Sequence, residues 1–221
     1  MRVLLLTLLV GGALACQNRL DTVVQEAIGG ATDLSTSVHD DCNSDVGTFL
    51  AAHAPNYKHV LRKSLSLSLK YLAISSHFGS DLNHRLGFKK LFREASDQRF
   101  DQAIDMIKYV IKRGGNVKEH LNVKVTAAPL RPQALSSLGL ALADAKDMYA
   151  EQARLHSAAL CLSPSAVGCS VDADLAHQSQ DAIESEVERV NELASKANQL
   201  AAMFTSTEYS LAEHLFDQHL L

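Results

Sequence analysis

From about Val46 to Phe204 the apolar residues of this chain recur at the spacing of a helical face, and nowhere do they alternate for long with period two. That pattern favours helices packed on one another over a sandwich or barrel. The aromatic fraction of 5% and the absence of Trp point the same way, since aliphatic ridges are left to do the packing. A length of 221 residues allows one domain with a proper core.

Breakers divide the pattern. From Val46 to Phe78, Leu61, Leu65, Leu69, Leu72 and Ile74 form a stripe that ends at "FGS". Asp81 is then the expected N-cap of a second helix running to Arg113, with Gly114-Gly115 as its stop. A long connection containing Pro129 and Pro132 leads to a third helix over about 133–160, with Leu135, Leu138, Leu142 and Leu155 on its apolar side. A fourth helix is expected from Asp172 to Phe204, and a short fifth in "TEYSLAEHLFDQHLL" with Thr207 as its N-cap. Four long helices with a long link after the second describe an all-α bundle with a crossover.

The first residues, "MRVLLLTLLVGGALAC", have one basic residue, an apolar run and Ala13-Leu14-Ala15 before Cys16, the pattern of a secretory signal peptide over 1–15. A lipoprotein signal prefers Leu where Ala13 stands. Residues 16–44 read as a polar N-terminal arm, and 45–221 as the bundle. In an oxidising compartment Cys16, Cys42, Cys161 and Cys169 are disulfide candidates. Cys161 and Cys169 bracket a loop short enough to close, whereas Cys16 and Cys42 could pair with each other or with another chain. A net charge of -4 gives no reason to expect nucleic acid, and no helix joins a strongly basic face to a bulky apolar one, so no membrane role is expected.

On the second helix, Glu94, Asp97, Asp101 and Asp105 fall within an arc of about 80° at 100° per residue. Taken alone they are an ordinary charged outer face, though clustered carboxylates suit hard cations such as Fe(III). Arg99 points the other way, into the middle of the apolar arc, where a guanidinium needs an anion. Core di-iron bundles use Glu-x-x-His pairs, and this chain has none; Asp81/His84 and Asp174/His177 have the spacing but stand at helix starts, where Asp is a cap. No Gly-rich phosphate loop and no nucleophile signature are present.

"YLAISSHFGSDLNHRLGFKKLFREASDQRFDQAIDMIKYVIKRGG" and "SLAEHLFDQHLL" resemble the first-to-second-helix segment and the final short helix of ferritins. The resemblance covers roughly Asp45 to Leu221, and with the leader and cysteines it is most similar to secreted, insect-type ferritin. It implies that the positions of the family's di-iron centre hold Ser64, Tyr71, Gln98, Arg99, Gln102, Ala145 and Glu186, of which only Tyr71 is kept. It therefore implies a light-type subunit that is not an enzyme. Arg99 is expected to pair with Glu186 across the bundle. Glu94, Asp97 and Asp101 match the acids that start ferric mineral, and Leu211, Leu215 and His219 match the fourfold-axis stripe. The implied cargo is iron as ferric mineral with no organic cofactor, and the implied assembly is an octahedral 24-mer with a heavy-type subunit. The rival readings are a ferroxidase with displaced ligands and a secreted bundle that binds a partner without storing iron. If Cys16 or Cys42 ties the arm to the heavy-type chain, non-reducing electrophoresis of the secreted protein is expected to show a species larger than one chain; monomer alone would count against it.

Overall fold

The computed structural model describes residues 52–114, 133–162 and 170–221, all within the unit Asp45–Leu221. Among them the regular elements are five helices: α1 Ala54–Phe78, α2 Leu86–Lys112, α3 Ala134–Ala159, α4 Ala173–Ser206 and α5 Tyr209–His219. Helix α1 packs along α2 and α3 along α4, α1 also meets α3, and α5 touches both α4 and α2. None of these helices is long and apolar enough to cross a membrane.

The core has aromatic ends and a polar middle. At one end Phe78 stacks on Phe88 and Phe92 at centroid distances of 5.2 and 5.8 Å, and Phe216 of α5 closes the cluster. At the other, Tyr57 lies 5.4 Å from Tyr109. Each such ring contributes about 1.5–3 kcal/mol by burial, so the two ends hold the helices in register. Between them the buried residues turn small and polar: Ser64, Ser68, Ser96, Arg99 and Glu186.

Several local expectations are corrected. In the α1 stripe Leu61 and Ile74 are buried, but Leu69 and Leu72 are 45% and 39% exposed. Each four-residue step overshoots a 3.6-residue turn by about 40°, so two steps carry the stripe from Leu61 off the core face. The buried positions are instead Tyr57, Val60, Leu67 and Tyr71. Asp81 is an exposed turn residue rather than a cap; α2 starts at Leu86 with Arg85 at the N-cap. The turn is closed by other groups, with Arg85 N–H donating to Phe78 O at 2.9 Å and Asn83 Nδ2 to His77 O at 3.0 Å. Thr207 is the extended residue that ends α4, and Glu208 is the N-cap of α5, because α4 continues two residues past Phe204.

Two expected helix boundaries are where the sequence puts them. Gly114 follows α2 with φ of 79°, a conformation glycine adopts without strain. Asp172 caps α4, accepting Leu175 N–H at 3.0 Å. Its other partner is Arg113 at the end of α2, at 2.7 Å, and Arg113 also reaches Tyr109 and Asp174. This cluster straps the end of α2 to the start of α4. Burial alone would raise the Asp172 pKa, but the Arg113 hydrogen bonds and the Leu175 amide outweigh it and hold the carboxyl below its ordinary value.

A carboxyl with a depressed folded pKa adds stability that is fully present above its unfolded value near about 4 and is lost as pH falls through the folded value. Asp172→Asn is therefore expected to cost about 3 kcal/mol at pH 7, with the gap to the parent chain closing below about pH 4. Urea unfolding from pH 7 to pH 3 measures this; a gap that does not change with pH would show that the strap works without the charge.

Candidate functional site

The polar middle of the bundle brings together Ser64, Gln98, Arg99, Gln102 and Glu186 of the residues singled out from the sequence. Arg99 of α2 and Glu186 of α4 both have no exposed surface. They meet in a two-pronged contact, Nη1 to Oε1 and Nη2 to Oε2, the second at 2.8 Å. The same Nη1 donates to Gln102 Oε1 at 3.1 Å, and Ser64 Oγ of α1 donates to that oxygen at 3.4 Å. Ala145 of α3 is fully buried and its side chain carries no polar atom.

Tyr71 makes its hydrogen bond to a different carboxylate. Its hydroxyl donates to Asp144 Oδ2 at 3.3 Å, and Lys70 Nζ reaches the same oxygen at 2.7 Å. Burial, reinforced by the Asp144 charge, pushes the Tyr71 pKa well above the ordinary phenol value, so the ring stays protonated at any physiological pH.

Two participants were not foreseen from the sequence. Arg189 Nε lies 3.7 Å from Glu186 Oε2, and its Nη1 donates to Gln98 Oε1 at 2.8 Å. Desolvation, and next the charge of Arg99, push the Arg189 pKa below its ordinary value, with Glu186 offsetting only part. Asp144 is the other. The signals were there: Arg189 stands three residues after Glu186, one helical turn, and Asp144 directly precedes Ala145.

The chemistry of this donor set is decided by charge. One carboxylate lies between two guanidiniums, with two amides and a hydroxyl for company. Two ferrous ions bring four positive charges, and hard cations need clustered carboxylates to neutralise them. The residues at these positions do not fit such a pair.

The remaining predicted residues lie elsewhere. Glu94, Asp97, Asp101 and Asp105 are all exposed on α2. Asp97 accepts from Arg93 at 3.0 Å and Asp105 from Lys108 at 2.8 Å. Asp101 and Asp105 line an open groove of about 560 Å³ whose α4 side carries Asp181, Glu188 and Glu192. Among the described residues no three His, Cys, Asp or Glu side chains stand close enough together to hold a metal ion. Asp174 is engaged by Arg113 and Tyr109 rather than paired with His177 for a metal. On α5, Leu211, Leu215 and His219 are exposed. Cys161 follows α3 with φ of 57° and is disulfide-bonded; Cys16, Cys42 and Cys169 lie outside the described residues.

Removing one member of a buried ion pair leaves an uncompensated charge, whereas replacing both with apolar residues is often neutral. Arg99→Met and Glu186→Leu are each expected to cost about 3–5 kcal/mol, and the double variant to recover most of that loss. Urea unfolding of the three chains reads the coupling; a double variant as unstable as the sum of the singles would mean that the two side chains do not depend on each other.

A model of the Ferritin-like domain family matches residues 58–163. The ferritin light chain of Drosophila melanogaster is 31% identical over 173 residues, covering 75% of this chain and 74% of that one. The ferritin light chain of Trichoplusia ni is 28% identical over 186 residues, 80% of this chain and 76% of that one. The Trichoplusia ni ferritin heavy chain is 25% identical over 170 residues, 73% and 75% of the two chains. Among solved structures, Trichoplusia ni secreted ferritin superposes with a TM-score of 0.68 at 25% identity, over 77% of this chain and 88% of that one. With 31% identity over about three quarters of both chains, the chain belongs to the ferritin family, in its insect type.

Proposed function

We propose that this chain is the non-catalytic, light-type subunit of a secreted ferritin, and that it stores and carries iron as ferric mineral in a hollow octahedral shell of 24 subunits shared with a heavy-type partner. The observation that carries the reading is the buried Arg99–Glu186 pair, which places a positive charge where a catalytic subunit would bring two ferrous ions to their carboxylates. Arg189 adds a second cation beside it. The similarity to two insect ferritin light chains supports the same assignment. Secretion is supported by the apolar leader over 1–15 and by the likeness to a secreted ferritin.

The exposed acids Glu94, Asp97 and Asp101 are the proposed start of the mineral. Because they are not drawn into one chelating cluster, each keeps free lone pairs for hydrated ferric ions. Oxidation is then the task of the partner chain, and this chain supplies a surface on which the product precipitates. The apolar face of α5, with Leu211 and Leu215, is proposed to meet the same face on neighbouring subunits around the fourfold axis.

The test is the initial rate of Fe(II) oxidation in air. The mature chain alone is expected to be no faster than buffer, and mixed shells with a heavy-type partner are expected to oxidise and load iron fully. In those mixed shells, joint replacement of Glu94, Asp97 and Asp101 by Ala is expected to slow mineral growth several-fold while leaving the first oxidation burst unchanged. A rapid rate from this chain alone would establish a ferroxidase with displaced ligands instead. Failure to enter shells at all would point to a bundle that binds a partner without storing iron.

A further inference from the structure

Helix α5 lies against the first turn of α2 more closely than any side chain would allow. A Cβ on Gly87 would stand 2.0 Å from the main-chain oxygen of Asp217 and 2.9 Å from Leu220 Cβ. Such a contact is possible only for glycine.

The same turn of α2 lacks a cap of its own. Arg85 at the N-cap makes no side-chain hydrogen bond to the helix. The free Phe88 N–H is answered instead by Asp217 Oδ1 of α5, at 2.9 Å, from a residue that is 1% exposed. The carboxylate thus sits at the positive end of the α2 dipole, as an N-cap lent by another helix. Three more contacts surround it: Arg85 Nε donates to Glu213 Oε1 at 3.0 Å, Lys90 Nζ to Leu221 O at 2.6 Å, and Phe216 packs 5.8 Å from Phe88.

The link to α4 is short: Thr207 and Glu208 separate the two helices. Across it Phe204 of α4 stacks on Tyr209 of α5 at a centroid distance of 4.3 Å, which holds the first turn of α5 but not its far end. On the side of α5 away from α2, Leu211 and Leu215 are each 49% exposed.

We infer that Asp217 and Gly87 form a clamp on the far end of α5, and that this clamp, together with the Phe204–Tyr209 stack at the joint, sets the direction in which Leu211 and Leu215 are presented for assembly. The inference rests on the proposed reading that this face meets neighbouring subunits. Asp217 is a positioning residue here: it touches α2 and acts through the apolar face on the opposite side of its helix. Without the clamp α2 loses the cap on Phe88 N–H, and the far end of α5 is left with the Phe216 packing and the Arg85 and Lys90 contacts.

The test uses the mature chain assembled with its heavy-type partner, comparing Asp217→Ala, Asp217→Asn and the double variant Leu211→Arg/Leu215→Arg. Asn keeps an oxygen that accepts the Phe88 N–H, whereas Ala has none. Asp217→Ala is expected to lower the yield of full shells by sedimentation at least tenfold. Its far-UV helix signal should stay close to the parent chain's, and exchange of the Phe88 amide in the unassembled chain should be about tenfold faster. Asp217→Asn is expected to restore both. Shells formed normally by Asp217→Ala, or Asn behaving like Ala, would overturn the clamp. The double Leu variant addresses the underlying reading separately: if it assembles normally, the α5 face does not meet neighbours, even where Phe88 exchange shows that Asp217 caps α2.

Discussion

A guanidinium with no exposed surface has to find its counter-charge within the bundle, and the middle of this protein is arranged around that need. Arg99 is the largest of the fully buried side chains. Glu186 answers it from the facing helix with both carboxylate oxygens, and Gln102 and Ser64 extend the network to α1. Such a pair is poor evidence of stability by itself, because desolvation offsets most of the attraction. Its consequence is chemical. A site occupied by a locked ion pair, with Arg189 beside it, has no free carboxylates for a cation.

The aromatic clusters at the two ends make that arrangement tolerable. Phe78, Phe88, Phe92 and Phe216 at one end, and Tyr57 with Tyr109 at the other, hold the helices in register across a polar centre. Each end is also fastened by a carboxylate that caps a helix and belongs to a wider network. Asp172 caps its own helix and holds Arg113 of α2. Asp217 caps α2 from α5. Interior chemistry, the acidic face of α2 and the apolar face of α5 are therefore separate surfaces of one scaffold, tied together by helix ends.

The errors of the sequence reading have specific physical causes. Asp81 and Thr207 have the right chemistry for caps and the right neighbourhood. A cap is chosen, however, by which backbone amides remain unanswered, and here Asp217 answers α2 from 129 residues away. The stripe drawn from Leu61 fails because Leu61 lies at the edge of the core face: two four-residue steps carry Leu69 about 80° off it, and Leu72, about 20° from Leu61, falls on the outer side of that edge. Arg189 stands one helical turn after Glu186 and Asp144 next to Ala145, but a charged residue on a helix flank reads as solvated until its neighbour is known.

What the sequence determined by itself was local: where helices run, where Gly114 stops one and Asp172 starts another, and that Arg99 faces inward. Angular position along a helix follows from residue number alone, so an Arg in the apolar arc is legible without any partner. Glu186 as the partner of Arg99 was expected only through the family resemblance, and which carboxylate Tyr71 finds and how α5 is aimed were decided only in the folded bundle. Those contacts join residues 73 to 129 positions apart, and no local spacing in the chain encodes a distance between helices.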